Sequence, residues 1–446
     1  MTDISPRSYF SATDGFRDGS DTPRAFLERC IESIEAQEPQ VGAFVNMNLE
    51  GARAAADAAT ERWKSGDTLS LIDGMPVGIK DVMETADMPT EQGSPLFAGW
   101  EGKRDCAAAV ALREAGAVVV GKTVTTEFAA TQARGTRNPY DTTRTPGGSS
   151  SGSAAAVGSG MLSAALGSQV IGSIIRPSSY CGAYGYKPSV GGINRGGSFD
   201  GFSQSCTGVL AATLDEVWTT TRAITSRAGG DAGYLGVVGP MEMPATEKPR
   251  RLAVLETDGW AVAGEEAKAQ LGEARDRLAE AGIEFIDRNS SDAVEAVEAA
   301  IQGAMGTSRD INAWEGRWPL NTYARDMDRS QLSPSAIERL EQAESMTQDD
   351  FRELSATRED ARRVYAALAA EADFCITLSA TGAAPVGIES TGDPVFTVPT
   401  SMLGVPTISL PLLQAEGLPL GLQVIGFQNR DAELFAGAAS VVATLG

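Results

Sequence analysis

The chain has 446 residues, 42% hydrophobic and 22% charged, a composition typical of a folded globular protein. It contains no histidine, which excludes Ser-His-Asp and Cys-His catalysis, histidine-ligated zinc or haem, and imidazole pH switches. A general base must therefore be a carboxylate, a lysine, a tyrosine or a cysteine. The 59 acidic and 37 basic residues give a net charge of −22, which disfavours binding to nucleic acid and to anionic lipid.

The cysteines and the N-terminus indicate the cellular compartment. The five cysteines are widely spaced and form no C-x-x-C motif, so we predict buried free thiols instead of disulfides or a zinc ribbon. The N-terminal stretch Met-Thr-Asp-Ile-Ser-Pro-Arg lacks the basic and apolar segments of a signal peptide. No apolar run approaches the roughly 18 residues of a membrane helix. We therefore expect a cytoplasmic protein with no membrane partner.

Helical and strand-like segments alternate along the chain, which predicts an α/β fold. Helices are predicted at residues 22–64, 105–115 and 265–281 and from Asp431 onward. Strands are predicted at residues 75–79, 117–120, 251–256, 283–286, 374–378, 407–410 and 420–425. Residues 290 to 370 are mostly helical and charged, and no repeat or long linker divides the chain. We expect a single domain over residues 1–446, with this helical section at its periphery.

The stretch from Thr145 to Val157 is the first candidate for chemistry. It reads Thr-Pro-Gly-Gly-Ser-Ser-Ser-Gly-Ser-Ala-Ala-Ala-Val and contains Ser149. Its composition is that of a flexible linker, but the alanines predict a helix whose entrance offers free backbone N–H groups. The stretch lacks the G-x-x-x-x-G-K-[ST] pattern of a phosphate-binding loop. From these residues alone, a linker and a functional helix entrance are both open.

Two further segments carry candidate residues. Ser173 follows a glycine and precedes an apolar pair, so it is either a buried turn residue or a nucleophile beside free backbone amides. Lys80 ends the apolar run Gly-Met-Pro-Val-Gly-Ile-Lys. It is either a surface lysine that extends its charge into water or a buried lysine whose lowered pKa makes it a usable base.

Taken together, these segments resemble the amidase signature family of serine hydrolases. Lys80, Ser149 and Ser173 occur in the order and at the spacing of that family, 69 and 24 residues apart (149 − 80 and 173 − 149). Further matches are Gly121-Lys-Thr-Val-Thr-Thr-Glu-Phe128, Asn138-Pro139, Gly404-Val-Pro-Thr-Ile-Ser409 and Gly417-Leu-Pro-Leu-Gly-Leu-Gln-Val-Ile-Gly426. The resemblance covers roughly residues 25–220 and 370–440. It implies a large twisted mixed β-sheet covered by helices on both faces.

The resemblance also implies a Ser-cisSer-Lys triad. Ser173 would be the acyl-accepting nucleophile, Ser149 would relay the proton, and uncharged Lys80 would be the final base. The oxyanion hole would consist of the backbone N–H groups of Val170, Ile171, Gly172 and Ser173. The absence of histidine agrees with this assignment, because Ser-Lys catalysis needs no imidazole. Neither a metal nor another cofactor is expected.

The segment around Ser173 departs from the usual family pattern Asp-Thr-Gly-Gly-Ser-Ile-Arg-x-Pro. Gln169 replaces the acid, Ile171 replaces a small residue, and the arginine comes one position later, as Arg176. A β-branched residue resists positive φ, so either the backbone at Ile171 keeps a negative φ or the turn is strained. We expect the Ile171 side chain to make the floor of the substrate pocket apolar. Ser401 also replaces an asparagine that is common in the family.

These features predict an amide hydrolase that works through an acyl-enzyme on Ser173. With Ile171 and no evident cationic anchor, we expect apolar or aryl amides, and also esters or urethanes, as substrates. Trp314, Trp318 and Tyr323 are predicted to line the entrance of the pocket. We expect a monomer or homodimer that binds a small-molecule amide. The alternatives are the amidase component of a glutamine-dependent aminoacyl-tRNA amidotransferase and a catalytically inactive binding protein.

Overall fold

The computed structural model describes residues 4–446; the first three residues of the N-terminal stretch considered above lie outside it. The α-helices are α1 Thr13–Asp18, α2 Pro23–Val41, α3 Leu49–Ser65, α4 Ala107–Glu114, α5 Ser151–Gly158, α6 Ile175–Tyr180, α7 Leu214–Ala228, α8 Glu265–Glu280, α9 Asp292–Ile301, α10 Ala304–Asp326, α11 Pro334–Ser345, α12 Gln348–Ala367, α13 Val398–Leu403 and α14 Asp431–Leu445. The strands are β1 Phe44–Met47, β2 Pro76–Lys80, β3 Val118–Thr123, β4 Ala164–Gln169, β5 Tyr184–Lys187, β6 Cys206–Ala211, β7 Arg251–Val254, β8 Glu284–Ile286, β9 Phe374–Leu378, β10 Thr407–Ala415 and β11 Leu418–Ile425. Short 3₁₀ turns lie at Phe10–Ala12, Pro95–Phe97, Glu127–Ala129, Asp258–Ala261, Arg329–Gln331 and Leu368–Ala370.

The strands form one mixed sheet of 11 strands in the order β1-β3-β2-β4-β6-β5-β10-β11-β9-β7-β8. Strand β2 runs parallel to both β3 and β4, whereas β4 pairs antiparallel with β6. Strand β5 pairs antiparallel with β10, and this contact joins the part of the sheet formed before residue 212 to the part formed after residue 250. The predicted α/β class with a mixed sheet is confirmed.

Helices cover both faces of the sheet because successive strand residues point to opposite sides. Val119 of β3 packs in one apolar core with α4, α7, α8 and α14, while Val118 and Val120 pack in a second core with α2, α3 and α5. Two layers of helices therefore enclose the sheet. Beyond them, helices α9 to α12 form the section between residues 292 and 367, which has a small apolar cluster of its own around Leu320 and Leu340.

The segment that resembled a linker is a tightly packed helix. A Cβ atom added to Gly152 of α5 would lie 2.1 Å from the Ala43 carbonyl oxygen, and one added to Gly158 would lie 2.0 Å from the Cys181 carbonyl oxygen. Small residues are thus required because neighbouring backbone approaches the helix closely. The linker interpretation is wrong, and the predicted helix entrance lies directly after Ser149 and Ser150.

All five cysteines are buried free thiols, as the spacing predicted. Within residues 4–446, no helix combines the length and the apolar character needed to cross a membrane.

Candidate active site

Lys80, the last residue of β2, is fully buried at the centre of the candidate site. Its Nζ atom lies 2.7 Å from Ser149 Oγ, 2.8 Å from Ser168 Oγ and 3.2 Å from the Ser168 carbonyl oxygen. The carboxyl ends of the parallel strands β2 and β4 meet at one edge of the sheet, which brings Lys80 beside Ser168. Sequence reasoning missed Ser168, although its position at the end of the strand that leads to Ser173 was a usable signal.

The environment of Lys80 favours the neutral amine. Burial lowers the pKa of Lys80 from its ordinary value to about 7, and the carboxylate of Asp200 partly opposes this shift. Lys80 forms no salt bridge among the described residues. The other two fully buried lysines have stronger partners: Lys122 pairs with Asp81 at 3.1 Å, and Lys187 donates to the carbonyl oxygens of Pro188 and Val405 at 2.9 and 2.6 Å.

Ser149 and Ser173 both reach this site. They are 1% and 5% exposed, and the peptide bond between Gly148 and Ser149 is cis. The backbone N–H of Ser150 donates to the Ser173 carbonyl oxygen at 3.2 Å, which holds the two serine-bearing segments together. Among residues 4–446, no hydrogen bond joins the hydroxyl of Ser149 to that of Ser173.

The backbone before Ser173 forms a turn with free amide donors. In the described part of the chain, the N–H groups of Ile171, Gly172 and Ser173 donate to no protein acceptor. The Thr397 hydroxyl donates to the Ile171 carbonyl oxygen at 3.0 Å. A Cβ atom on Gly172 would lie 2.3 Å from Thr397 Oγ1, so this position requires glycine. Free amides converging beside a hydroxyl can bind a developing negative charge on oxygen.

The departures at Gln169 and Ile171 fit this turn without strain. Ile171 is not among the residues with positive φ, which decides between the two alternatives considered above. The side-chain carbonyl oxygen of Gln169 accepts from the N–H groups of Ile174 and Ile175 at 2.8 and 3.0 Å. Its amide nitrogen donates to Ser401 Oγ at 3.0 Å. The two unusual residues Gln169 and Ser401 are therefore direct partners.

A cavity of about 600 Å³ opens onto Ser173. Val170 and Ile171 line it, together with Phe128, Phe202 and Pro394. The same wall contains Arg176, Arg309 and Arg339. The expectation that the site lacks a cationic anchor is therefore wrong; two of these arginines come from helices α10 and α11, which no motif linked to the site.

The predicted aromatic residues lie elsewhere. Trp314 and Trp318 line a neighbouring cavity that contains Ser203 and Phe351, and Trp314 stacks on Phe351 with ring centroids 5.6 Å apart. Tyr323 packs against Phe97 and Phe128, so it supports the wall of the Ser173 cavity from behind without lining it. Ile171 is the predicted pocket residue that the structure brings to Ser173.

Comparison with known proteins agrees with this architecture. Residues 25–435 match the family model described as Amidase. One curated relative is the amidase component, designated A, of the glutamyl-tRNA(Gln) amidotransferase of Chloroflexus aggregans, which is 32% identical over 97% of this chain and 95% of its own length. The chain belongs to the amidase signature family.

Solved structures of the family share the fold. A crystal structure of an amidase superposes with a TM-score of 0.85 at 26% identity, covering 99% of this chain and 100% of the other. A bacterial aryl acylamidase of the amidase signature family superposes with a TM-score of 0.84 at 18% identity, covering 99% and 96% of the two chains. At that identity the second likeness shows the shared fold alone.

Within this amidase signature chain, the side chains at the site are oxygen and nitrogen donors suited to proton transfer. Across residues 4–446, no group of three cysteine, aspartate or glutamate side chains is arranged to hold a metal ion. The hydroxyls of Ser149 and Ser168, the Lys80 amine and the free amides before Ser173 are the functional groups available for chemistry.

Proposed function

We propose that this chain hydrolyses the C–N bond of an amide through an acyl-enzyme on Ser173. The observation that carries the proposal is the fully buried Lys80 amine, 2.7 Å from Ser149 Oγ and with a pKa lowered to about 7 by burial. A serine hydroxyl is too weak an acid to attack an amide unaided and needs a base. Neutral Lys80 can supply that base at physiological pH.

The proposed reaction moves one proton along the three side chains and back. Ser173 Oγ forms a bond to the substrate carbonyl carbon while its proton passes to Ser149, and the Ser149 proton passes to Lys80. The free amides of the turn bind the resulting oxyanion. When the C–N bond breaks, the proton returns through Ser149 to the leaving amine. Water then attacks the ester by the same route and releases the acid and free Ser173.

The relay requires contact between the hydroxyls of Ser149 and Ser173 during transfer. Their segments are already tied by the hydrogen bond from Ser150 N–H to the Ser173 carbonyl oxygen, so a side-chain rotation is the only change needed. Catalytic hydrogen bonds often form or tighten only once substrate is bound. The Lys80–Ser149 contact, in contrast, is complete before binding.

Covalent labelling tests this proposal. A fluorophosphonate reacts with activated serines, and we expect it to modify Ser173, identified by peptide mapping and mass spectrometry. The Ser173→Ala variant should not be labelled, whereas replacing the exposed Ser226 on α7 by alanine should leave labelling unchanged. A folded protein that resists labelling would instead support the catalytically inactive binding protein.

We propose that Ile171 selects the acyl group of the substrate. Its side chain lines the cavity beside the free amides, and each buried methylene contributes about 0.8 kcal/mol to binding. Ile171→Gly should reduce kcat/KM for a hexanoyl anilide by about tenfold relative to the acetyl anilide. The acetyl compound controls for damage to the turn, and an unchanged ratio would reject the pocket role of Ile171.

A second candidate function is that of the amidase component of a glutamyl-tRNA(Gln) amidotransferase, because curated relatives of 29–32% identity belong to that enzyme. In that case the same acyl-enzyme would release ammonia from glutamine for use in a complex with partner proteins. The net charge of −22 disfavours direct contact of this chain with tRNA. The uncommon residues Gln169, Ile171 and Ser401 also speak mildly for a different substrate.

Purification of the tagged chain from the cells that encode it separates the two candidates. Co-purifying partner proteins together with glutamine-dependent transamidation would favour the amidotransferase. A chain that purifies alone and hydrolyses anilides, primary amides, ureas or carbamates would favour the stand-alone amidase. The same panel of four amide types tests the proposed apolar or aryl preference and its extension to urethanes.

A further inference from the structure

The arginines of the Ser173 cavity have no carboxylate partners. None of Arg176, Arg309 and Arg339 forms a salt bridge among residues 4–446. This is unusual in a chain with 59 acidic side chains and 37 basic ones, where carboxylates are abundant. Three unpaired guanidinium groups on one cavity indicate that something else supplies the negative charge.

Arg176 is the most deeply buried of the three, with 3% of its surface exposed. Its Nε donates to the Thr391 carbonyl oxygen at 2.7 Å, and its Nη2 donates to the Gly148 carbonyl oxygen at 2.7 Å and to Thr391 Oγ1 at 3.0 Å. Its Nη1 is buried and has no partner among the described residues. Burial lowers the pKa of Arg176 to about 10, so the group keeps its charge at neutral pH. All its partners are neutral, which leaves a buried cation uncompensated.

Arg339 on α11 forms the opposite side of the cavity. It donates no hydrogen bond to any described residue, and its Nε is buried without a partner. The nearest carboxylate that influences it, Glu127, is bound to Arg134 at 3.1 Å and to Ser94 at 3.1 Å. The guanidinium of Arg339 is therefore free to bind a ligand. Arg309 on α10 is exposed and contributes a third positive charge at the cavity mouth.

Two acidic residues, Glu338 and Glu389, also line the cavity, and both are exposed. Neither pairs with the arginines. Three arginines and two glutamates leave a net charge of one positive unit (3 − 2), which suits a singly charged carboxylate better than a phosphate dianion. The planar guanidinium group also matches a carboxylate by two parallel hydrogen bonds.

We propose that the amide substrate carries a carboxylate, which binds to Arg339, and that the apolar residues around Ile171 and Phe128 hold the body of the molecule. Arg309 attracts the anion at the mouth, and Arg176 supplies positive potential beside the Gly148–Ser149 peptide. The inference rests on the proposed amide hydrolysis at Ser173. It narrows the apolar or aryl amide to one with an anionic end.

Binding to the Ser173→Ala variant tests the anion site without any turnover. The probes are the mono-anilide of glutaric acid, with the carboxylate on the acyl side, 4-(pentanoylamino)benzoate, with it on the amine side, and neutral pentananilide. By isothermal titration calorimetry, we expect at least one carboxylate probe to bind about tenfold more tightly than pentananilide, which is about 1.4 kcal/mol. The tighter of the two identifies the side of the amide bond that faces Arg339.

Substitution of Arg339 in the same background supplies the second comparison. Arg339→Gln should abolish the preference for the carboxylate probe, and Arg339→Lys should retain part of it. Arg352→Gln is the matched control, because Arg352 lies exposed on α12 and pairs with Asp349; it should retain the full preference. Circular dichroism of each variant verifies folding.

Three results would overturn the inference: equal affinity for charged and neutral probes, a preference that survives Arg339→Gln, or tighter binding of the phosphonate analogue than of the carboxylate. None of them bears on the chemistry at Ser173, which the fluorophosphonate experiment tests by itself. The failure of one proposal is therefore distinguishable from the failure of the other.

Discussion

Replacing Lys80 with methionine is expected to reduce kcat by at least about 10³-fold while leaving the protein folded, because the variant lacks the base that accepts the serine proton. The free energy of unfolding at pH 7.5 should be unchanged or higher. Methionine fills a similar volume, and burying lysine without a carboxylate partner disfavours its charged form. Lys64→Met, at an exposed position on α3, is the matched control and should retain activity.

The pH profile of the unmodified enzyme is the companion measurement. Because burial lowers the pKa of Lys80 to about 7, the neutral and active form accumulates as pH rises through 7. We expect kcat/KM to fall tenfold per pH unit below that value and to level off above it. An acid limb near pH 4 to 5 would instead indicate a carboxylate base, and it would contradict the assignment of Lys80.

Replacing Lys122 with methionine is expected to have the opposite effect: a large loss of stability. Lys122 and Asp81 are both fully buried and 3.1 Å apart. Removing one partner of such a pair typically costs about 3–5 kcal/mol, because the other charge stays buried and alone. Burial already raises the pKa of Asp81 to about 6, against the influence of Lys122. Urea unfolding at pH 8 measures the loss.

The double variant Asp81→Leu/Lys122→Met provides the control for this prediction. Replacing both charges by apolar side chains removes the unpaired carboxylate, and the double variant should recover most of the lost stability. If the single variant were as stable as the parent protein, the Lys122–Asp81 pair would not contribute as its burial implies. Together, the Lys80 and Lys122 variants separate a lysine needed for chemistry from one needed for folding.

Sequence reasoning found the strands that are rich in apolar residues and missed those that are not. Strand β9 lies at the predicted residues, and β10 and β11 extend further than predicted. Strand β4, Ala-Ala-Leu-Gly-Ser-Gln, has the composition of a loop. It is a strand because its neighbours leave no room for larger residues: a Cβ atom on Gly167 would lie 2.8 Å from Leu210 Cδ1. Such close packing is set by tertiary structure, which local propensity does not reflect.

The short edge strand β1 was also missed, since residues 22–64 were predicted as helical throughout. Gly42 ends helix α2 with a φ of 63°, and Asn48 caps helix α3 by accepting from the Gly51 N–H. A glycine followed six residues later by an asparagine was therefore a usable sign of two helices with a break between them. The prediction that the whole chain is one domain stays a prediction.

At the site, the motif indicated Lys80, Ser149 and Ser173, and the structure brings Lys80 and Ser149 into contact and Ser173 onto the cavity. The roles of these residues stay predictions until the variants are measured. The arginine wall was not predictable, because Arg309 and Arg339 lie more than 130 residues after Ser173 in a section without a motif. Only the path of the chain brings α10 and α11 to the cavity.

The turn before Ser173 is held by residues made last. Thr397 binds the Ile171 carbonyl oxygen, Ser401 binds Gln169, and Thr391 binds Arg176. A growing polypeptide that has emerged only as far as residue 250 therefore contains both serines and the lysine but lacks these three supports. Hydrolytic competence should arise late in biosynthesis, so that unfinished chains on the ribosome leave the amides of the cell untouched.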